Sequence, residues 1–208
     1  MGLRPFEPNI YKMEYVPQRM AALEVCVHAC YAALKRHIDE PTPTSLDLGA
    51  VSLGFPESDT LLGIVLDAGL IANRTLLNFV GIKLDNHDLA NKEYALTISK
   101  FELPPVKVDI AIEILKFQGI PPAEMRRIWI ESLRVASSSA AHFTADGAEI
   151  HVARIGFACY ATSLLLRAYF FQVLDVPMPE SLITEEVRPR LDGDPCWHSV
   201  DPSIGLMC

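Results

Sequence analysis

Apolar residues along this chain recur mostly three and four positions apart, the period of a helix rather than of a strand. From Met13 to Ile38 the stripe is Val16, Met20, Leu23, Val27, Tyr31, Leu34 and Ile38, with Gln18, Arg19, Lys35 and Arg36 lying away from it. Pro41 and Pro43 follow and stop the helix, because proline has no N–H to continue it. Residues 41–56 read as a loop. A second helix is expected from Ser58, an N-cap with Asp59 in the first turn. Its stripe is Leu62, Val65, Gly69, Ala72, Leu76 and Phe79, and Gly81 is its natural stop. Asp67, Arg74 and Asn78 form a polar seam on another side. Further along, Pro122 opens a helix running to Ala141 that carries Met125, Ile128, Trp129, Leu133 and Ala136 on one side.

The longest apolar run is Glu149 to Leu174. It holds one glycine and no proline, and apolar residues fall on nearly every side of the expected helix. Such a helix is buried in protein or spans a membrane. Spanning takes ~20 mostly apolar residues, and Arg154 and Arg167 bracket a shorter stretch than that. The run therefore reads as the centre of a soluble fold. Asp146 and Glu149 are spaced as a capping box at its start.

The remaining segments carry weaker patterns. Residues 1–12 read as an extended arm. In 82–105, Asp85–Asp88 reads as a turn or cap, Leu89–Tyr94 as one or two helical turns and Leu96–Phe101 as extended. A connection this long inside a domain is usually functional or mobile. Val106 to Phe117 is a short helix, or a strand by the spacing of Val108, Ile110, Ile112 and Ile114. The expectation is an all-α fold, a helical bundle of four to six helices with a buried last long helix. Residues 1–179 form the bundle domain, and 180–208 form a C-terminal tail packed on the surface or loosely ordered.

Composition narrows the function classes. The chain has 208 residues, 50% apolar and 21% charged, which is globular rather than disordered. A net charge of −8 argues against a broad nucleic-acid surface, while leaving room for a local basic pocket. The first residues lack the apolar core of a secretory signal. The five cysteines are odd in number, and Cys26 and Cys30 share a helix. They read as free, partly buried thiols in a reducing cytoplasm.

Several constellations have residue types that could carry chemistry. Glu24 and His28 are four apart, not the three of a di-iron Glu-x-x-His motif, and no second copy exists; they read as a surface pair. Cys196, His198 and Cys208 fall short of the four ligands of a structural zinc site. Ser137, Ser138 and Ser139 precede His142, but the chain has no G-x-S-x-G elbow and no glycine-rich phosphate loop. No metal or cofactor is expected. The group that remains is Arg74, Arg134 and His142 as a catalytic set, with Asp85 and Asp88 as ligand-binding residues. Arg74 interrupts an apolar helix, and a charge there needs a partner or a ligand. His142 sits just before the central helix and has a pKa suited to proton transfer near neutrality.

Three segments in order also resemble a known group. Asn73–Phe79 resembles an Arg-Asn-Leu-x-x-Phe-like helix segment of certain prokaryotic helical proteins, Asp85–Ala90 an Asp-rich stretch that follows it, and Ala140–Thr144 a Val-Ala-His-Leu-Thr-like segment ahead of the last long helix. That order is similar to the HEPN-like helical bundles. The resemblance implies a homodimer that binds RNA, nucleotides or proteins, or a metal-independent ribonuclease acting at a dimer interface. Catalytic members carry Arg-x(4–6)-His. Here Arg134 lies one residue beyond that window before His142, and Val135, Ala136 and Ser137 occupy the motif positions. The expected function is therefore a cytoplasmic, homodimeric binding or interaction module in an RNA or defence-related context, with a local pocket for RNA or a nucleotide. The alternative is a metal-independent ribonuclease or nucleotide-transforming enzyme with His142 as general base and Arg74 or Arg134 on phosphate.

Overall fold

A computed structural model describes residues 6–35, 43–91, 96–138, 150–192 and 194–200. The chain is mainly α, with 62% of the described residues helical and 9% in strands. Helix α1 joins Pro8–Ile10, a widened turn at Tyr11–Tyr15 and Val16–Lys35. Helix α2 is Ser58–Phe79, α3 the short Val108–Ala111 and α4 Pro122–Ser138. Helix α5 joins Val152–Leu166, a second widened turn at Arg167–Phe171 and Gln172–Leu174.

The expected arm is therefore partly helix: α1 begins at Pro8, not at Met13. Pro17 lies inside it, where it can donate no hydrogen bond and its ring crowds the preceding turn. The chain meets this with the turn just before, in which the Val16 N–H reaches back five residues to the Tyr11 carbonyl. Helix α5 starts at Val152, capped by His151, whose Nδ1 accepts from the Ala153 N–H at 3.2 Å. The Asp146–Glu149 capping box lies outside the described residues.

Of Val152–Leu166, only Val152 and Leu164 are not buried. Helices α2 and α5 are both long and apolar enough to cross a membrane by length and composition alone. Helix α5 is enclosed here by α1, α2 and α4. Trp129 of α4 donates from Nε1 to the Ala158 carbonyl and to Thr162 Oγ1, at 3.3 and 3.2 Å. Helices α1 and α2 run antiparallel and close together. A Cβ placed on Gly69 would sit 2.3 Å from Cys26 Sγ, so the position admits only glycine at this separation.

Two antiparallel hairpins interrupt the helices, neither of them anticipated. Strands β1 (Thr44–Asp47) and β2 (Ser52–Phe55) pair with Thr44 opposite Phe55. Strands β3 (Ile82–Asp85) and β4 (Asp88–Asn91) pair with Ile82 opposite Asn91. The turn between them has positive φ at both Asn86 (46°) and His87 (73°), the geometry that follows strand twist in a two-residue hairpin. Asn91 then fixes the second hairpin: its side chain donates to the Gly81 and Val106 carbonyls and accepts from the Val108 N–H. Leu96–Phe101, expected to be extended, contains a tight helical turn at Ile98–Phe101 that buries Ile98 and Phe101.

The segment after α5 enters the same core. Ile183, Val187 and Trp197 are buried, and Trp197 lies over Gly156 of α5, where a Cβ would meet the indole at 2.5 Å. Its ring also stacks on Tyr31 at 6.2 Å and meets Phe157 edge-on at 5.6 Å. The segment is tied down by Asp194, which pairs with Lys35 at 2.6 Å and accepts from the Tyr31 hydroxyl and the Cys196 N–H. The Lys35 ammonium and these hydrogen bonds hold the Asp194 carboxyl well below the usual carboxylate range.

Two outcomes are expected. Trp197→Ala costs about 3–5 kcal/mol in urea unfolding, the range for removing a buried tryptophan. A carboxyl with a depressed native pKa contributes stability above its unfolded value and loses it as pH falls towards the native one. Trp197 fluorescence is therefore expected to shift red below about pH 4, with a smaller acid-dependent change in Asp194→Asn.

Candidate functional site

The N-terminal end of α1 and the C-terminal half of α2 enclose a cleft of about 420 Å³. Tyr11, Tyr15 and Arg19 line it from α1, and Arg74, Thr75 and Asn78 line it from α2. Apolar walls come from Phe79 and Leu96. The widened turn of α1 shapes this wall by setting Tyr11 and Tyr15 edge to face, their ring centroids 5.0 Å apart. A groove of about 670 Å³ continues from the cleft between the helices, lined by Ala22, Ala68 and Ala72.

Arg74 is partly buried and Arg19 exposed, and among the described residues neither has a carboxylate partner. Two guanidinium groups, a carboxamide, a hydroxyl and two phenol rings thus border one opening. Guanidinium groups match phosphate oxygens with paired N–H donors, and aromatic faces accept flat rings. The arrangement suits an anion that carries a planar group.

The other sequence-derived candidates that are described do not join Arg74 there. Arg134 lies exposed on α4. Asp88 is bound by Arg126 at 2.8 Å and accepts from the Leu89 N–H, and these contacts lower its pKa. Asp85 sits 3.6 Å from Lys83 at the end of β3. Both carboxylates border the second hairpin rather than the cleft. His142 lies outside the described residues. Tyr11, Tyr15 and Arg19 were not singled out from the sequence, although their four-residue spacing is a helical signal.

Glu24 and His28 also have a different role from the surface pair expected. Glu24 is 1% exposed. Its Oε1 accepts from Ser163 at 2.6 Å and pairs with Arg167 at 2.7 Å, and its Oε2 accepts from the Leu182 N–H at 2.7 Å. His28 Nε2 donates to the carbonyl of that same Leu182 at 2.8 Å. These are docking bonds for the segment after α5. A second buried network links Asn73, Ser132, Thr162 and Trp129, with Thr162 donating to Asn73 at 2.6 Å and Asn73 to Ser132 at 3.0 Å. The polar groups of α5 are thus engaged in structure.

Cys26, Cys30, Cys159 and Cys196 are buried thiols. Burial pushes the Cys30 thiol up, and the Cys26 thiol beside it raises Cys159. Among the described residues no cluster of His, Cys, Asp and Glu has the arrangement of a metal site. Compared with known proteins, the chain matches no family model, no curated protein and no solved structure.

Breaking a buried ion pair leaves an uncompensated charge. Glu24→Ala is accordingly expected to lose about 3–5 kcal/mol in chemical denaturation, with Glu24→Gln losing less because it retains an acceptor for Ser163 or Leu182.

Proposed function

We propose that this protein is a cytoplasmic, HEPN-like helical bundle that acts as a homodimeric binding module, taking RNA or a nucleotide in the cleft between α1 and α2. The observation that carries the reading is the pairing of Arg19 and Arg74 across an opening walled by Tyr11 and Tyr15. In an acidic chain, two arginines without carboxylate partners among the described residues form a local basic site of the kind an anionic ligand uses. Base stacking on aromatic side chains is tolerant of sequence and contributes about 1–3 kcal/mol per base. The two tyrosines therefore suit a nucleobase as well as the arginines suit its phosphate.

Homodimerisation finds support on the same face. Tyr15 and Ile71, which line the cleft, are exposed at 41% and 39%. A second copy laid along this face would cover them and border the cleft.

The function reads as binding rather than catalysis because Arg134, the arginine nearest His142 in the chain, is an exposed residue of α4 away from the cleft. Binding is tested by fluorescence anisotropy with a labelled single-stranded RNA 12-mer and with ATP. Arg74→Ala is expected to weaken affinity at least about tenfold, because a hydrogen bond to a charged group is worth about 1.5–3 kcal/mol. Raising the salt concentration is expected to weaken the wild-type complex. No binding to either probe, or equal binding by Arg74→Ala, overturns the reading.

A further inference from the structure

From Pro43 to Ala68 no side chain is buried, although the chain there forms a complete hairpin and the first half of α2. The stretch is not polar. Leu46, Leu48, Val51 and Leu53 of the hairpin are 37%, 62%, 55% and 44% exposed, and Ile64 of α2 is 56% exposed. An isolated two-stranded hairpin is marginal in water, as is a short length of unsupported helix. Exposed apolar patches of more than a few hundred Å² mark interaction surfaces on soluble proteins. Here strand pairing and helix are both formed on residues none of which is fully buried, with Leu66 packing partly against the core.

The charges of the stretch indicate what covers it. Between Pro43 and Asn73 the only charged residues are Asp47, Glu57, Asp59 and Asp67, and all four are acidic. A symmetric contact with a second copy would bring this patch against itself, carboxylates included. Like charges opposed across an interface cost affinity and slow encounter. Anionic lipid and nucleic-acid phosphate are disfavoured on the same ground. A partner whose apolar ridge is flanked by Lys and Arg meets both the leucines and the carboxylates.

We propose that the β1–β2 hairpin and the first half of α2 are the docking surface for a basic, amphipathic segment of a different protein. This face is distinct from the α1–α2 cleft, so the inference stands apart from RNA or nucleotide binding. The test uses the full chain and a fluorescein-labelled amphipathic peptide of leucine and lysine, with its leucine–glutamate counterpart as control. The Leu/Lys peptide is expected to bind and the Leu/Glu peptide not to bind. Affinity is expected to fall at least about tenfold both in Leu48→Ser/Val51→Ser and in Asp47→Lys/Glu57→Lys. The exposed pair Glu102→Lys/Glu113→Lys is expected to bind like wild type, and circular dichroism checks that every variant is folded. Bound peptide is also expected to slow amide exchange in residues 44–66. Equal weakening by the Glu102/Glu113 pair would reduce the binding to diffuse charge and overturn the proposal. It is overturned too if Leu48→Ser/Val51→Ser abolishes self-association in sedimentation, which assigns the face to a second copy. Binding to neutral phosphatidylcholine vesicles that the same pair abolishes would assign the face to a membrane and overturn it as well.

Discussion

Close approach of backbones at two glycines is the constraint on which this fold rests. Gly69 lets α2 lie against Cys26 of α1, and Gly156 lets α5 lie beneath Trp197. A side chain at either place would overlap its neighbour by far more than a core can absorb without shifting helices. Cys26 of α1 and Cys159 of α5 both border Gly69, so the three longest helices meet at one point. Small groups there leave the larger side chains, Trp129, Phe157 and Phe170, to fill the volume on either side.

Around that contact, polar side chains set orientation. The Asn73–Ser132–Thr162–Trp129 network ties α2, α4 and α5 together with each donor matched to an acceptor. Buried polar groups that are fully satisfied favour one packing over its alternatives, because any slip leaves them unpaired. The same logic applies to Glu24 and Arg167, which fix α1 against the end of α5. The cleft lies outside these networks. Among the described residues its arginines pair with no carboxylate, which distinguishes them from Arg154, buried between Glu124 and Glu131.

How much of this was legible in residue order varies with the strength of the local pattern. The stripes of α1, α2 and α4 and the all-round apolar run of α5 are long periodic signals, and each corresponds to a helix. The hairpins were not legible. Thr44–Phe55 has weak alternation and no buried face, and Asp85–Asp88 announces a turn without saying that strands flank it. The start of α1 was obscured by Pro8, in a stretch whose apolar residues keep no helical period. Of the site residues, Arg74 stood out because a charge interrupts an apolar helix. Tyr11, Tyr15 and Arg19 did not, since their meaning depends on which helix lies across from them. Glu24 was misread because its partners, Ser163, Arg167 and Leu182, are far away in sequence.

Leu182 shows what such distant partners achieve. Its N–H and its carbonyl are gripped by Glu24 and His28, one turn apart on α1, while its own side chain is 47% exposed. Recognition is thus of the backbone on both sides of Leu182 and not of a residue type. Evolution can vary the amino acid at this place almost freely, proline excepted, yet the path of the returning chain stays registered to α1.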